Sequence, residues 1–289
     1  MGYRIFTDAT ADHSPEMMAG LPEVTVLPME VILNGKSRIY GPGGDLDVAE
    51  FYEALRGGAT ASTTQVRPDV YFKHFTPCLE AGEDILYLCF TSGMSGTYQT
   101  AQMCAQELRE SFPERTIHCL DTLCASVGEG FLVREAARKK AEGMDLDALG
   151  DWVEANRLSI CHWFTVDTLE FLRRGGRIST AAAVVGTALQ IKPMLHVSEE
   201  GKLEVAEKLR GGRRAMSAQL ARMRKGWEPS MGKLVVIGHG DSPEKAEELK
   251  TLVQEAFPDS EIQTAPIGPV IGTHTGPGML ALIFWGSER

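Results

Sequence analysis

The chain has 289 residues, 43% of them hydrophobic and 24% charged, a composition that excludes disorder and a length that favours two domains over one core. A formal net charge of −10 excludes broad binding to nucleic acid or to an anionic membrane, since both attract a positive surface. Six cysteines without a C-x-x-C pair or a histidine at zinc spacing read as reduced core residues, so neither disulfides nor a metal site is expected.

In chain order, residues 4–7, 24–33, 85–90 and 116–120 have the short apolar runs of strands, and residues 48–55, 69–79, 97–110, 128–141 and 145–156 have the periodicity of helices. Asp47 with Glu50 fits a capping box, and Pro68 sits where a first helical turn tolerates proline. This alternation predicts a parallel sheet covered by helices. Just after the strands stand Thr7-Asp8-Ala9-Thr10, Thr91-Ser92 and Asp121-Thr122. In open α/β sheets ligands sit outside the carboxyl ends of the strands, so these groups are expected to converge on one crevice.

From about residue 159 the pattern changes. Strand-like runs at 160–166, 194–197, 203–206, 233–238, 262–266 and 279–285 are separated by helical patterns at 166–174, 213–224 and 242–256 and by a small-residue segment at 181–189. The expected architecture is α/β in two domains: residues 1–158 around a parallel sheet and residues 159–289 around a mixed sheet. The opening residues carry no apolar leader, and the longest apolar runs are too short for a bilayer, so a cytoplasmic protein is expected.

Two loops carry the chemistry. Residues 267–278 form a Gly/Pro frame holding His274 between Thr273 and Thr275. Residues 91–98 place two serines and two glycines between a strand and a helix start, which makes an anion site from amides and hydroxyls. Arg173, Arg174 and Arg177, with Arg210-Gly-Gly-Arg213-Arg214, form two Arg/Gly knots. They fit a capped basic helix end as well as a phosphate or partner site. His239 with Asp241 fits an N-cap after a strand better than a metal or catalytic pair. No G-x-S-x-G elbow and no nucleotide-binding glycine signature is present.

Taken in order, these segments identify a pattern. Through Thr91-Ser-Gly-Met-Ser-Gly-Thr-Tyr-Gln99, Asp121-Thr-Leu-Cys-Ala-Ser126, Val166-Asp-Thr-Leu-Glu-Phe-Leu-Arg-Arg-Gly-Gly-Arg-Ile178, Ile191-Lys-Pro-Met-Leu195 and residues 267–278, the chain resembles the DegV family of fatty-acid-binding proteins from end to end. The resemblance implies a two-domain α/β protein enclosing one long-chain fatty acid, its carboxyl group held at the domain junction. Family members with an assigned role are the acyl-carrying subunit of fatty acid kinase: a separate ATP-binding subunit phosphorylates the carboxylate, and the acyl phosphate passes to phospholipid synthesis.

By that resemblance the head-group ligands are Thr63, Thr64, Ser92 or Ser95, Thr273 and His274, and the partner or phosphate contacts are Arg173, Arg174 and Arg213. The small-residue segment, with Ala182, Ala183, Val185 and Leu189, is expected to line the acyl tunnel. No catalytic residue, metal or cofactor is expected beyond the bound acid, and the protein is expected not to be a catalyst alone. Where the family commonly has Thr-Ser-Gln-Pro-Ser, this chain reads Thr63-Thr64-Gln65-Val66-Arg67. Two other functions fit the residues: an acyl hydrolase using Ser92 or Ser95 with His274 and a nearby aspartate, and a binding module for a small phosphorylated metabolite.

Overall fold

The computed structural model describes residues 2–179 and 191–289; Ala182, Ala183, Val185 and Leu189, expected in the tunnel wall, lie outside the described residues. The first part of the chain contains β1 (Tyr3–Asp8), β2 (Val24–Leu27), β3 (Met29–Leu33), β4 (Lys36–Tyr40), α1 (Val48–Arg56), β5 (Ala61–Thr63), α2 (Pro68–Glu80), β6 (Asp84–Cys89), α3 (Thr97–Ser111), β7 (Ile117–Asp121), α4 (Val127–Ala141) and α5 (Leu146–Asn156). The second contains β8 (Ile160–Thr165), α6 (Glu170–Arg174), β9 (Ile191–Val197), β10 (Leu203–Arg210), α7 (Gly212–Gly226), β11 (Leu234–His239), α8 (Pro243–Ala256), β12 (Glu261–Pro266), α9 (Pro269–Thr275) and β13 (Leu280–Trp285).

The expected parallel sheet is present, with strand order β2-β1-β6-β7. The inner strand β6 reads as a continuous apolar run because both its faces are covered; Ile85 to Cys89 are fully buried. Burial of Ile85, Leu86 and Leu88 stabilises the fold by roughly 1.5 to 3 kcal/mol each. At α1, Asp47 accepts from the amides of Ala49 and Glu50. The reciprocal half of a capping box is missing, since Glu50 pairs instead with Arg38.

The run at 24–33 is not one strand. It breaks at Pro28, which has no amide to donate, and the chain leaves the parallel sheet to build an antiparallel one of order β4-β3-β5. The turn between β3 and β4 is Asn34-Gly35, with φ of 50° and 76°, the pair of positive values that a two-residue hairpin demands. Short as it is, β5 matters most for the site, because it ends on Thr63.

A second, six-stranded sheet has order β10-β9-β8-β13-β11-β12, antiparallel except between β11 and β12. This is the expected mixed sheet. One face carries Cys161, Trp163, Leu282 and Phe284 against Met216, Leu220 and Val253 of α7 and α8. The other carries Phe164, Ala281 and Ile283 toward the parallel sheet's helices. Two local expectations are corrected. The helix expected over 166–174 is confined to Glu170–Arg174, because Thr168 Oγ1 takes the Glu170 amide and Asp167 pairs with Lys192. The loop expected over 267–278 contains a helix, started by Pro269 in its first turn and buried on nearly every residue.

Candidate ligand site

Between the sheets lies a cavity with about 780 Å³ of space free of protein atoms, part of it continuous with solvent. Alternation along strands places Met279, Ala281 and Ile283 from the β13 side and Phe164 and His162 from β8 on one wall, with Phe90 and Val127 opposite. Such a lining offers an apolar ligand burial and offers a charged one nothing along most of its length.

The polar groups gather at one end. Thr63 Oγ1, at the end of β5, lies 2.8 Å from His274 Nε2 on α9. The two residues line both the cavity and a polar recess of about 580 Å³ outside it, together with Arg177. His274 Nδ1 is buried and has no hydrogen-bond partner among the described residues. It faces Gly175, where any Cβ would overlap the imidazole, so only glycine permits this seat. Burial, with the charge of Arg177 second, lowers the histidine to about 4, so the ring is neutral at physiological pH. Placing its one proton on Nε2 lets the ring donate to Thr63 Oγ1 and leaves the threonine proton for an anion in the cavity.

Arg177 supplies the charge that the neutral histidine lacks. Half-buried, it donates to the carbonyls of Met94 at 3.2 Å and Gly175 at 2.6 Å. It has no carboxylate partner among the described residues, and desolvation lowers its pKa. A desolvated cation held by carbonyls favours an incoming anion. Its position directly after the Gly175-Gly176 pair was visible in the sequence, but nothing local distinguished it from Arg173 and Arg174.

The other expected residues scatter. Thr64 and Ser95 line the cavity, Thr273 lines the recess, and Ser92 lines neither. Ser95 Oγ lies 2.9 Å from Thr97 Oγ1, and Thr273 donates to the Pro269 carbonyl. The serine loop is not an open nest of amides. The amide of Ser92 goes to Asp121, that of Gly93 to Thr91 Oγ1 and that of Thr97 to Ser95 Oγ. Arg173 and Arg174 both pair with Glu170 on the surface, and only Arg174 reaches the recess. Arg213 is 96% exposed, 3.8 Å from Glu248.

Nor is the crevice at the parallel strand ends open to a ligand. Asp8 accepts from Thr10 and Tyr87, Thr91 donates to the Gly201 carbonyl and Thr122 to that of Cys89; Thr10 alone of these lines the cavity. Its single hydroxyl proton stands between Asp8 Oδ1 and Glu129 Oε2. Both bonds form when Glu129 is protonated and donates to Thr10, and burial indeed raises Glu129 well above its ordinary value. Nearby, Asp12 accepts from Ser126 Oγ at 2.7 Å and from the Gly268 amide at 2.9 Å. It thereby ties α4 to the start of the helix that carries His274, a role no local sequence pattern announced.

Among the described residues no group of three metal-binding side chains comes together, and no helix is long and apolar enough to cross a membrane. The DegV family profile matches residues 3–286. A DegV domain-containing protein of Clostridium perfringens is 37% identical over 285 residues, covering 99% of this chain and 98% of its own. Among solved structures, the fold is similar to that of a fatty-acid-binding DegV family protein from Thermus thermophilus, with a TM-score of 0.86 and 31% identity over 99% of this chain and 100% of that one. It is similar also to the Streptococcus pneumoniae fatty acid kinase B3 protein loaded with linoleic acid, with a TM-score of 0.85 over 99% and 100% of the two chains. At 20% identity that second likeness is one of fold.

Proposed function

Because the chain belongs to the DegV family, we propose that it binds a long-chain fatty acid in the apolar cavity and presents the carboxylate at Thr63, His274 and Arg177 to a separate ATP-dependent kinase subunit. The observation that carries this reading is the division of the site: an apolar cavity closed at one end by a hydroxyl, a neutral imidazole and a desolvated guanidinium. Burying about 14 methylenes at roughly 0.8 kcal/mol each contributes on the order of 11 kcal/mol, against about 1 to 3 kcal/mol per head-group hydrogen bond. The tail sets affinity, and the head group sets orientation and access for the phosphoryl donor.

Head-group lining from Thr63, Thr64 and Ser95 and from His274 and Arg177 supports a ligand at the junction of two domains, residues 1–158 and 159–289. The product is an acyl phosphate for phospholipid synthesis, and the place of action is the cytoplasm. A hydrolase would need a serine activated by His274, whereas Ser95 bonds to Thr97 and His274 to Thr63. A small phosphorylated metabolite would leave the apolar lining without a purpose.

Denaturing extraction and mass spectrometry of the purified protein test the reading. A stoichiometric fatty acid is expected; protein that repeatedly yields none refutes it.

A further inference from the structure

We infer that His162 is the stop against which the acyl tail ends, and that His162 together with Gly128 sets the chain length accepted. The inference rests on the fatty-acid reading above and deepens it.

Strands β8 and β13 are antiparallel neighbours, so β13 leads away from the head group and β8 runs back toward it. β13 begins just after α9, which carries His274, while β8 ends toward α6 and Gly175. The cavity-lining residues therefore follow in order from the mouth inward: Met279, then the pair Ala281 and Phe164, then the pair Ile283 and His162. Four residue steps from Met279 to Ile283 span roughly 13 Å at about 3.3 Å per residue. The next pair on the same face, Trp285 and Ile160, no longer lines the cavity. Trp285 is sealed edge-on by Phe131 at 5.2 Å and Trp152 at 6.2 Å. Across the sheet, the register Trp163 with His196 and Val197 with Leu203 brings Val197 and Leu203 into the row of Ile283 and His162, and both line the cavity as well. His162 thus stands in the middle of the terminal row.

Its ring is fixed there. Nδ1–H donates to the Ile160 carbonyl at 2.9 Å, and Nε2 accepts the Ala125 amide at 3.3 Å. Burial lowers the group to about 3, so it stays neutral and both bonds persist across physiological pH. Against its Nε2 edge is Gly128 in the first turn of α4, where a Cβ would overlap the imidazole. Glycine at this place lets the ring sit back; any larger residue drives it into the cavity.

The test compares the wild type with His162→Ala, His162→Asn and Gly128→Ala. Each is denatured, its lipid is identified by mass spectrometry, and saturated acids of increasing length compete for the site. His162→Asn retains an acceptor for the Ala125 amide, so its profile is read where the alanine variant does not fold. Expected are a shift toward longer acids in the histidine variants, with about fourfold tighter binding for each further methylene taken in, and a shift toward shorter acids in Gly128→Ala. A wild-type length profile in folded, fatty-acid-loaded variants overturns the assignment of His162. A wild type that carries no fatty acid at all overturns the function proposed above, and the stop with it.

Discussion

Thr63 and His274 stand 211 residues apart in the chain and share a hydrogen bond of 2.8 Å at the boundary between the apolar cavity and the polar recess. The pair is expected to matter for chemistry more than for retention. Thr63→Val removes the hydroxyl and keeps the volume. Loss of one hydrogen bond, about 1 to 3 kcal/mol, leaves most of the tail's contribution in place. The variant should still copurify with fatty acid, while acyl phosphate formation with the kinase subunit falls about tenfold or more. Equal losses in lipid content and in phosphorylation would show that head and tail do not divide the work in this way.

His274 should not behave as a pH switch in the neutral range. Burial holds its folded-state value at about 4 against 6.5 for the free group. Between these values the unfolded chain binds a proton that the folded chain does not, so stability rises with pH through the window and is lost as pH falls through it. The loss amounts to on the order of 3 kcal/mol at its acid end. In urea unfolding at pH 7 and pH 5, His274→Gln should lose less stability on acidification than the wild type. Parallel losses would place the imidazole in a wetter setting than the Gly175 contact describes.

Asp12 titrates with the opposite sign. Among the described residues its carboxylate accepts from Ser126 and the Gly268 amide; burial, with Asp8 adding repulsion, raises it from 3.8 to about 7. Here the folded chain holds a proton that the unfolded chain has released, so stability declines as pH rises from about 4 to about 7, by on the order of 4 kcal/mol in all. Asp12→Asn keeps an acceptor for Gly268 and a polar partner for Ser126 without the charge. It should therefore gain stability over the wild type as pH rises through that window, measured by the same denaturation series. A difference that does not change with pH would remove Asp12 from the ionisable groups that matter here.

For Arg173 and Arg174 the expectation is a small effect on the fold and a larger one on the partner. Both are exposed and share Glu170, and such surface pairs contribute about 0 to 1 kcal/mol. Arg173→Gln and Arg174→Gln should leave lipid content and melting temperature nearly unchanged while weakening engagement of the kinase subunit, read by titration binding. Unchanged engagement would leave these side chains as the basic last turn of α6 and nothing more.

The local patterns carried the α/β class a long way. The parallel strands, the helices around them and the Asp47 cap follow from residue periodicity and from a single side chain answering two amides, interactions that span a few positions. The Asn34-Gly35 turn and the break at Pro28 were equally local signals, yet the apolar run at 24–33 predicts one strand where the structure has two in different sheets. The site was different. Its segments were visible as motifs, yet their inward or outward direction was not: Ser95 faces the cavity and Ser92 does not, because the loop spends its amides on Asp121, Thr91 and Ser95. Thr63 owes its place to a three-residue strand paired with β3. His274 owes its neutrality to burial against Gly175, 99 positions away by subtraction of their numbers. The tie from Asp12 to Gly268 crosses 256 residues. Bonds, burial and charge at such separations depend on how sheets and helices pack together, and packing arises only when the whole chain closes on itself.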